Sequence, residues 1–164
     1  MSRQHIISLL LENEAGALSR VSGLFSARAY NIESLTVAAT QDPTLSRLTL
    51  VTVGSDETIE QIKKQLNKLI DVVKLIDLSE SFSLERELIL LKVKKSDAMV
   101  QKIESLSVES SARITDDTDD YLIIELTGEK VWLDDFLSSL ADEVLEVVRT
   151  GVVGLSRGER SLTV

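Results

Sequence analysis

The first half of the chain alternates between short apolar runs and longer segments with apolar residues at every third or fourth position. Short runs are typical of strands, and the longer spacing is typical of amphipathic helices. The order β-α-β-β-α-β within about 78 residues is the ferredoxin-like pattern, which predicts a four-stranded antiparallel sheet with both helices on one face. Because the other face is also apolar and the domain is small, we expect it to pair with another domain. The predicted strands are 6–11, 32–40, 48–53 and 72–78, and the helical stripes are Leu18, Val21, Leu24 and Phe25, then Ile59, Ile62, Leu66 and Leu69.

The second half repeats this order of elements with little residue-by-residue identity to the first. Ser55 and Ser96 precede helical stripes and are predicted N-caps. Glu80–Ser83 is the predicted boundary, and the glycines of Gly151–Val164 indicate a flexible tail. We therefore predict an α+β protein of two tandem ferredoxin-like domains, 1–79 and 80–164. The second set of strands is 88–93, 114, 121–126 and 144–148, and its stripes are Met99, Val100, Ile103 and Leu106, then Leu133, Phe136, Leu137 and Leu140.

Charge and composition narrow the possible partners. The formal net charge of −9 disfavours general binding to nucleic acid or to anionic membranes, because an acidic chain repels phosphates. The apolar run after His5 is too short for a signal-peptide core or a membrane span. With no cysteine in the sequence, we expect a cytoplasmic protein without disulfides.

Candidates for metal binding or catalysis are weak. His5 is the only histidine and is predicted to be a surface residue. The acidic segment Asp116–Asp120 lacks the central glycine and the later glutamate of a calcium loop, so it is predicted to be a solvated hairpin turn. We predict no catalytic residue and no metal site, since neither a zinc set nor a catalytic triad can be assembled from these residues.

The loop between the first strand and the first helix is the most informative segment. Gly16 lies where the loop becomes the helix, and a helix start presents unpaired N–H groups that suit a carboxylate. Glycine lets a ligand approach the backbone, and the amide of Asn13 can donate and accept hydrogen bonds. The small Ala15 and Ala17 leave room for a ligand. An ordinary strand-to-helix turn explains the same residues and is, from local physics alone, the more frequent case.

Several segments resemble the acetolactate synthase small subunit family. The likeness covers nearly the whole chain and is most specific in the first 50 residues. The family has an N-terminal ACT domain, a ferredoxin-like amino-acid sensor, followed by a second ferredoxin-like domain. The segments are LLENEAGALSRV at 10–21, YNIESLTV at 30–37, DPTLSR at 42–47, EREL at 85–88, RTG at 149–151 and SRG at 156–158.

The resemblance implies an L-valine site between two paired ACT domains. Its carboxylate would meet the backbone at Gly16, and its isopropyl group would lie near Leu18, Ile32 and Val37. Of the residues implied, Asn13, Gly16, Ala17 and Leu18 come from one chain, and Asn31, Ile32, Val37 and Ala38 come from the partner chain.

The resemblance also implies a non-catalytic, regulatory role in branched-chain amino-acid biosynthesis. The chain would activate a separate catalytic large subunit and confer feedback inhibition by valine. It would hold no cofactor itself; thiamine diphosphate, FAD and Mg²⁺ are expected on the catalytic partner.

The sequence departs from the family pattern at three places. Ala29 stands where glycine usually precedes Tyr30-Asn31, and Ala39 replaces a usual proline. Both changes are expected to alter loop conformation near the site without abolishing binding. The segment 141–144 is less apolar than usual.

Three other functions share this fold. A phosphatase on this fold needs a phosphate loop with converging Arg and Asn side chains; the sequence shows no such loop, and the NEAGAL loop is acidic. An RNA-recognition module needs stacking aromatic residues on its third strand, and Leu48–Val53 has none. The nearest alternative is an ACT regulator that senses a different amino acid for another enzyme.

Overall fold

The computed structural model describes residues 2–80, 83–107, 111–140 and 142–164. The chain divides into two compact units, one of Met1–Leu84 with Val152–Val164 and one of Glu85–Gly151. This division differs from the predicted domains 1–79 and 80–164, because the C-terminal tail lies with the first unit. Parts of the predicted boundary (81 and 82) and of segment 141–144 (141) lie outside the described residues.

The first unit has the predicted ferredoxin-like order of elements. Its sheet is antiparallel with strand order β2-β3-β1-β4, which confirms the predicted fold. A single 3-10 turn, Leu78–Glu80, follows the last strand, so the predicted fourth strand, 72–78, ends one residue earlier than predicted, at Asp77. The elements are β1 (Arg3–Glu12), α1 (Ala17–Ala27), β2 (Ser34–Ala39), β3 (Leu45–Gly54), α2 (Asp56–Leu66) and β4 (Val72–Asp77).

The core of the first unit lies between the sheet and the two helices. Alternate residues of β1 point into it, and the predicted helical stripes supply the facing side chains. Leu18 is the exception, since it is 39% exposed on the first turn of α1. The buried members are Ile7, Leu9, Leu11, Val21, Leu24, Phe25, Leu48, Leu50, Ile59, Ile62 and Leu66.

The opposite face of this sheet is covered by the C-terminal tail. Val152 and Leu162 are 3% and 7% exposed, and they pack with Leu78 against the apolar residues of that face. The tail contains strand β9 (Val153–Ser156). It is held by hydrogen bonds from Arg47 to the Gly154 carbonyl (3.0 Å) and from Lys74 to the Thr163 carbonyl (2.8 Å). The prediction of a flexible tail was wrong, because this segment buries apolar side chains on a face that needs a cover. The sheet residues covered are Ile6, Leu10, Val51 and Ile76.

The second unit repeats the topology. Its sheet is antiparallel with the order β6-β7-β5-β8, and its helices pack on one face. The predicted stripe residues Met99, Ile103, Leu133 and Phe136 are buried. The elements are β5 (Ser83–Lys94), α3 (Asp97–Ser107), β6 (Ser111–Asp117), β7 (Tyr121–Gly128), α4 (Lys130–Ser138) and β8 (Val144–Arg149).

His5 is buried, which corrects the prediction of a surface residue. It is 2% exposed because β1 extends to Arg3 and pairs His5 with Thr52 of β3. Its Nδ1 lies 3.5 Å from Asp77 and its Nε2 3.6 Å from Asp56.

The acidic segment 116–120 ends β6 and forms the hairpin turn to β7 at residues 118–120, as predicted. Its Asp117 forms an ion pair with Lys95. Across the described part of the chain, no three His, Asp or Glu side chains are grouped as metal ligands would be. In the same residues, no helix has the length and apolarity needed to cross a membrane.

Candidate functional site

The loop between β1 and α1 turns at Gly16 in a left-handed conformation. Its φ of 93° and ψ of −14° favour glycine, since a side chain is strained there. Gly16 is the N-cap of α1 and offers no side-chain cap to the helix. By contrast, the hydroxyl of Ser55 accepts a hydrogen bond from the Thr58 amide at the start of α2 (3.2 Å). The start of α1 therefore keeps its positive dipole end free of a capping side chain, which suits an anionic ligand.

Asn13 ties this loop to the turn between β2 and β3. Its backbone N–H donates to the Thr44 carbonyl (2.7 Å) and its Nδ2 donates to the Pro43 carbonyl (2.9 Å). Its Oδ1 accepts a hydrogen bond from the Ser46 hydroxyl (3.1 Å). Both ends of the Asn13 amide thus have partners within the chain, so Asn13 orders the site as well as facing it.

The turn between β2 and β3 is itself ordered by Asp42. The Oδ1 atom of Asp42 accepts hydrogen bonds from the Thr44 amide (2.9 Å) and hydroxyl (2.6 Å). These bonds stabilise the carboxylate and lower the pKa of Asp42. The turn therefore presents the Pro43 and Thr44 carbonyls to Asn13 in a fixed geometry.

A groove of about 310 Å³ lies beside this loop. One wall comes from the loop and the start of α1, and the other comes from the end of β2. Strand pairing explains the arrangement, because Ser46 lies opposite both Leu11 of β1 and Ala39 of β2. The lining residues are Leu11, Glu12, Asn13, Glu14, Ala17, Leu18, Val37, Ala38, Ala39 and Ser46.

The groove brings together five of the eight predicted site residues. Gly16 adjoins the groove at Ala17 without lining it. Asn31 and Ile32 lie outside it: the Asn31 amide donates to Glu33 (2.6 Å), and Ile32 packs against the core. The five that line it are Asn13, Ala17, Leu18, Val37 and Ala38. Val37 and Ala38 therefore face a groove of their own chain, although the resemblance placed them across a partner.

Sequence reasoning missed the other half of the lining. Leu11, Glu12 and Ser46 enter the groove through the register of β1 and β3, which no single segment of sequence reveals. Glu14 belongs to the predicted loop and also lines the groove, although the resemblance implies no role for it. Ala39, a departure from the family pattern, lines the groove as well.

Comparison with known proteins covers both units. Residues 7–74 match the family model described as the AHAS small subunit-like ACT domain, and residues 86–158 match the small subunit of acetolactate synthase. The acetolactate synthase small subunit of Haemophilus influenzae is 49% identical over 97% of this chain and 99% of its own length. The isozyme 3 small subunit of Salmonella typhimurium is also 49% identical, over 96% of this chain and 98% of its own.

The fold agrees with these matches. The crystal structure of an acetolactate synthase small subunit from Thermotoga maritima aligns with a TM-score of 0.84 at 38% identity, and the alignment covers 96% of this chain and 99% of that one. The first unit thus carries an ACT domain, and the second corresponds to the family's C-terminal domain. The chain belongs to the acetolactate synthase small subunit family.

Proposed function

We propose that this chain is the regulatory subunit of an acetolactate synthase, and that it binds L-valine in the groove beside α1. It would activate a separate catalytic large subunit and make that subunit sensitive to feedback inhibition by valine. The observation that carries the proposal is the groove itself, where an uncapped helix start faces short apolar side chains in an ACT domain.

The groove has the chemistry of an amino-acid site. The start of α1 attracts a carboxylate, and the carboxylates of Glu12 and Glu14 can accept hydrogen bonds from an ammonium group. Leu18, Val37 and Ala38 supply apolar surface for a short branched side chain. The volume of about 310 Å³ lies at the lower end of the range for small-molecule sites, roughly 300–1,000 Å³.

A second copy of the chain would complete the site. β2 is the edge strand of its sheet, and its last three residues, Val37 to Ala39, are exposed. An open strand edge can pair with another strand, whereas the opposite face of this sheet is already covered by the tail. Edge pairing of two ACT domains would create two equivalent sites and would bring the partner copy's β2 region near each groove.

Regulation would follow from this arrangement. Valine bound between two copies biases their relative orientation only if it binds one arrangement more tightly than the other. The cofactors of the reaction, thiamine diphosphate, FAD and Mg²⁺, would remain with the catalytic subunit.

The first test is isothermal titration of the purified chain with L-valine, using L-aspartate as the control ligand. We expect saturable valine binding and no aspartate binding, followed by valine-sensitive activity when the chain is mixed with a catalytic large subunit. Absence of binding at millimolar valine would contradict the proposal, and a panel of amino acids in a thermal-shift assay would then identify another ligand.

The second test places a negative charge at the helix start. Gly16→Asp should abolish the valine response, because its carboxylate repels the ligand carboxylate. Any side chain at residue 16 is also strained by the positive φ and meets the Arg20 guanidinium, so circular dichroism and activation of the large subunit check that the variant still folds. Gly158→Asp is the matched control, since Gly158 also has a positive φ (75°) and has open space around it. Wild-type inhibition in Gly16→Asp would remove the helix start from the site, and an unchanged affinity in Asn31→Ala would remove Asn31.

A further inference from the structure

Arg20 and Asp71 form a bidentate ion pair beside the proposed site. Arg20 Nε donates to Asp71 Oδ2 (2.5 Å), and its terminal NH2 group donates to Oδ1 (2.6 Å). Asp71 is 3% exposed, whereas the Arg20 side chain is 46% exposed. The hydrogen bonds from the guanidinium lower the pKa of Asp71, so the pair stays charged at neutral pH.

This ion pair connects the two ends of the loop between β1 and α1. Asp71 immediately precedes β4, and its backbone carbonyl accepts a hydrogen bond from Glu12 N–H at the end of β1 (2.9 Å). Asp71 therefore holds the last residue of β1 through its main chain and the end of the first turn of α1, at Arg20, through its side chain. The loop between them, residues 13–16, starts and ends at fixed points.

The guanidinium also lies against Gly16. A Cβ atom added at residue 16 would lie 2.8 Å from the terminal NH1 nitrogen of Arg20. In addition, the Arg20 backbone N–H donates to the Gly16 carbonyl (2.9 Å). Position 16 is restricted to glycine by its φ of 93°, and a Cβ atom there would also have to displace the Arg20 guanidinium.

We infer that Arg20 is a positioning residue for the amino-acid site: clamped by Asp71, it holds Gly16 and the first turn of α1 in the orientation that faces the groove. The inference deepens the proposed function and rests on it. Arg20 does not line the groove, so its effect on a ligand passes through Gly16.

The chemistry of this position favours arginine over lysine. A guanidinium offers a planar fork that engages both oxygens of Asp71 while a third nitrogen remains against Gly16. Lysine keeps the charge that neutralises the buried Asp71, but its single nitrogen cannot fill these positions together. Arg20→Lys therefore separates positioning from charge balance.

The experiment titrates the wild-type chain and Arg20→Lys with L-valine and records the melting temperature of each. We expect the Kd for valine to rise about tenfold in the variant, the equivalent of one hydrogen bond to a charged group. Arg149→Lys is the matched control in the second unit. There, Arg149 donates two hydrogen bonds to the buried Glu87 (2.9 and 2.6 Å), so the same change removes the same two-bond geometry and keeps the charge, without touching the groove. Its valine affinity should equal that of the wild type even if its melting temperature falls.

A double-mutant cycle distinguishes positioning from a general loss of stability. If Arg20 acts through Gly16, the two substitutions should not act independently. The fold-increase of the valine Kd in the double variant Gly16→Ala, Arg20→Lys should then be smaller than the product of the fold-increases in the two single variants. Independent losses, or an unchanged Kd in Arg20→Lys, would overturn the inference while the valine site stands. A wild-type chain that binds no valine would overturn the proposed function and this inference with it.

Discussion

The two units share one topology but begin their first helix differently. In the first unit, α1 starts at Gly16 without a side-chain cap and borders the groove. In the second unit, the Ser96 hydroxyl accepts a hydrogen bond from the Met99 amide (3.1 Å) at the start of α3. A serine cap is the stable solution for a helix end, because it satisfies one of the amides that lack a helical partner. The uncapped start in the first unit is therefore not required by the fold. Because α4 also begins without a side-chain cap, at Glu129, it is the adjoining groove that favours a ligand role for the start of α1.

The outer faces of the two sheets differ as well. On the first sheet, Ile6 and Leu10 are 6% and 4% exposed beneath the tail. On the second sheet, Leu90 lies opposite Val148 on the face away from the helices, and these side chains are 39% and 54% exposed. The same topology therefore occurs with a covered outer face in the first unit and an exposed outer face in the second. The tail is what covers the face of the first sheet.

The largest change in stability is expected from weakening the tail that covers the outer face of the first sheet. Leu162→Ala should lower the free energy of unfolding of the first unit by about 2–3 kcal/mol, because it leaves a cavity over Ile6 and Leu10. Amide hydrogen exchange along β1 measures this loss within the unit.

Leu155→Ala is the control for the tail. Leu155 lies in the same segment but is 58% exposed, so its truncation should change stability by less than about 0.5 kcal/mol. Equal losses in the two variants would mean that the tail does not cover the sheet through Leu162.

The sequence predicted elements well where local periodicity decides them. The caps at Ser55 and Ser96 and the stripes around Ile59 and Ile103 are confirmed, because each depends on neighbours within one helix. Leu18 has the same spacing yet lies at the groove, since periodicity does not show which apolar residue of a helix end leaves the core.

Features that depend on pairing across the chain could not be read in this way. The burial of His5 follows from a strand pairing with residues almost 50 positions away. The position of Leu162 follows from the return of the tail to the first sheet. For the candidate site, the helix-start argument indicated the loop and the family resemblance supplied the β2 residues, while Ser46 and the Arg20–Asp71 pair required the three-dimensional register.

A smaller loss of stability should follow from removing the serine cap of α3, which α1 of the first unit lacks. Ser96→Ala should cost about 1 kcal/mol of stability in the second unit, since the Met99 amide loses its acceptor. Trp132, the only tryptophan, lies in α4 of that unit, so its fluorescence during urea unfolding reports the change. Ser105→Ala on the exposed side of α3 is the control and should cost less. A loss at Ser105 as large as that at Ser96 would contradict the assigned cap.

The smallest effect concerns the other end of α1, where the sequence has alanine in a place that suits glycine. Ala29 has a φ of 54°, and the amides of Ala29 and Tyr30 donate to the Ser26 and Phe25 carbonyls (3.3 and 3.0 Å). This is the Schellman pattern of helix ends, completed by edge-to-face contact of the Phe25 and Tyr30 rings.

An L-residue in the left-handed region costs about 1–2 kcal/mol, and the extra chain entropy of glycine offsets part of that cost. Ala29→Gly should therefore stabilise the first unit by roughly 0.5–1 kcal/mol in urea unfolding followed by hydrogen exchange. Gly23→Ala makes the opposite exchange within α1, where an added Cβ meets no atom within 4 Å. It should stabilise by a similar amount, because alanine has the higher helix propensity. If Ala29→Gly instead destabilised the chain, the left-handed helix end would not be strained by the alanine side chain, and the φ of 54° would carry no cost there.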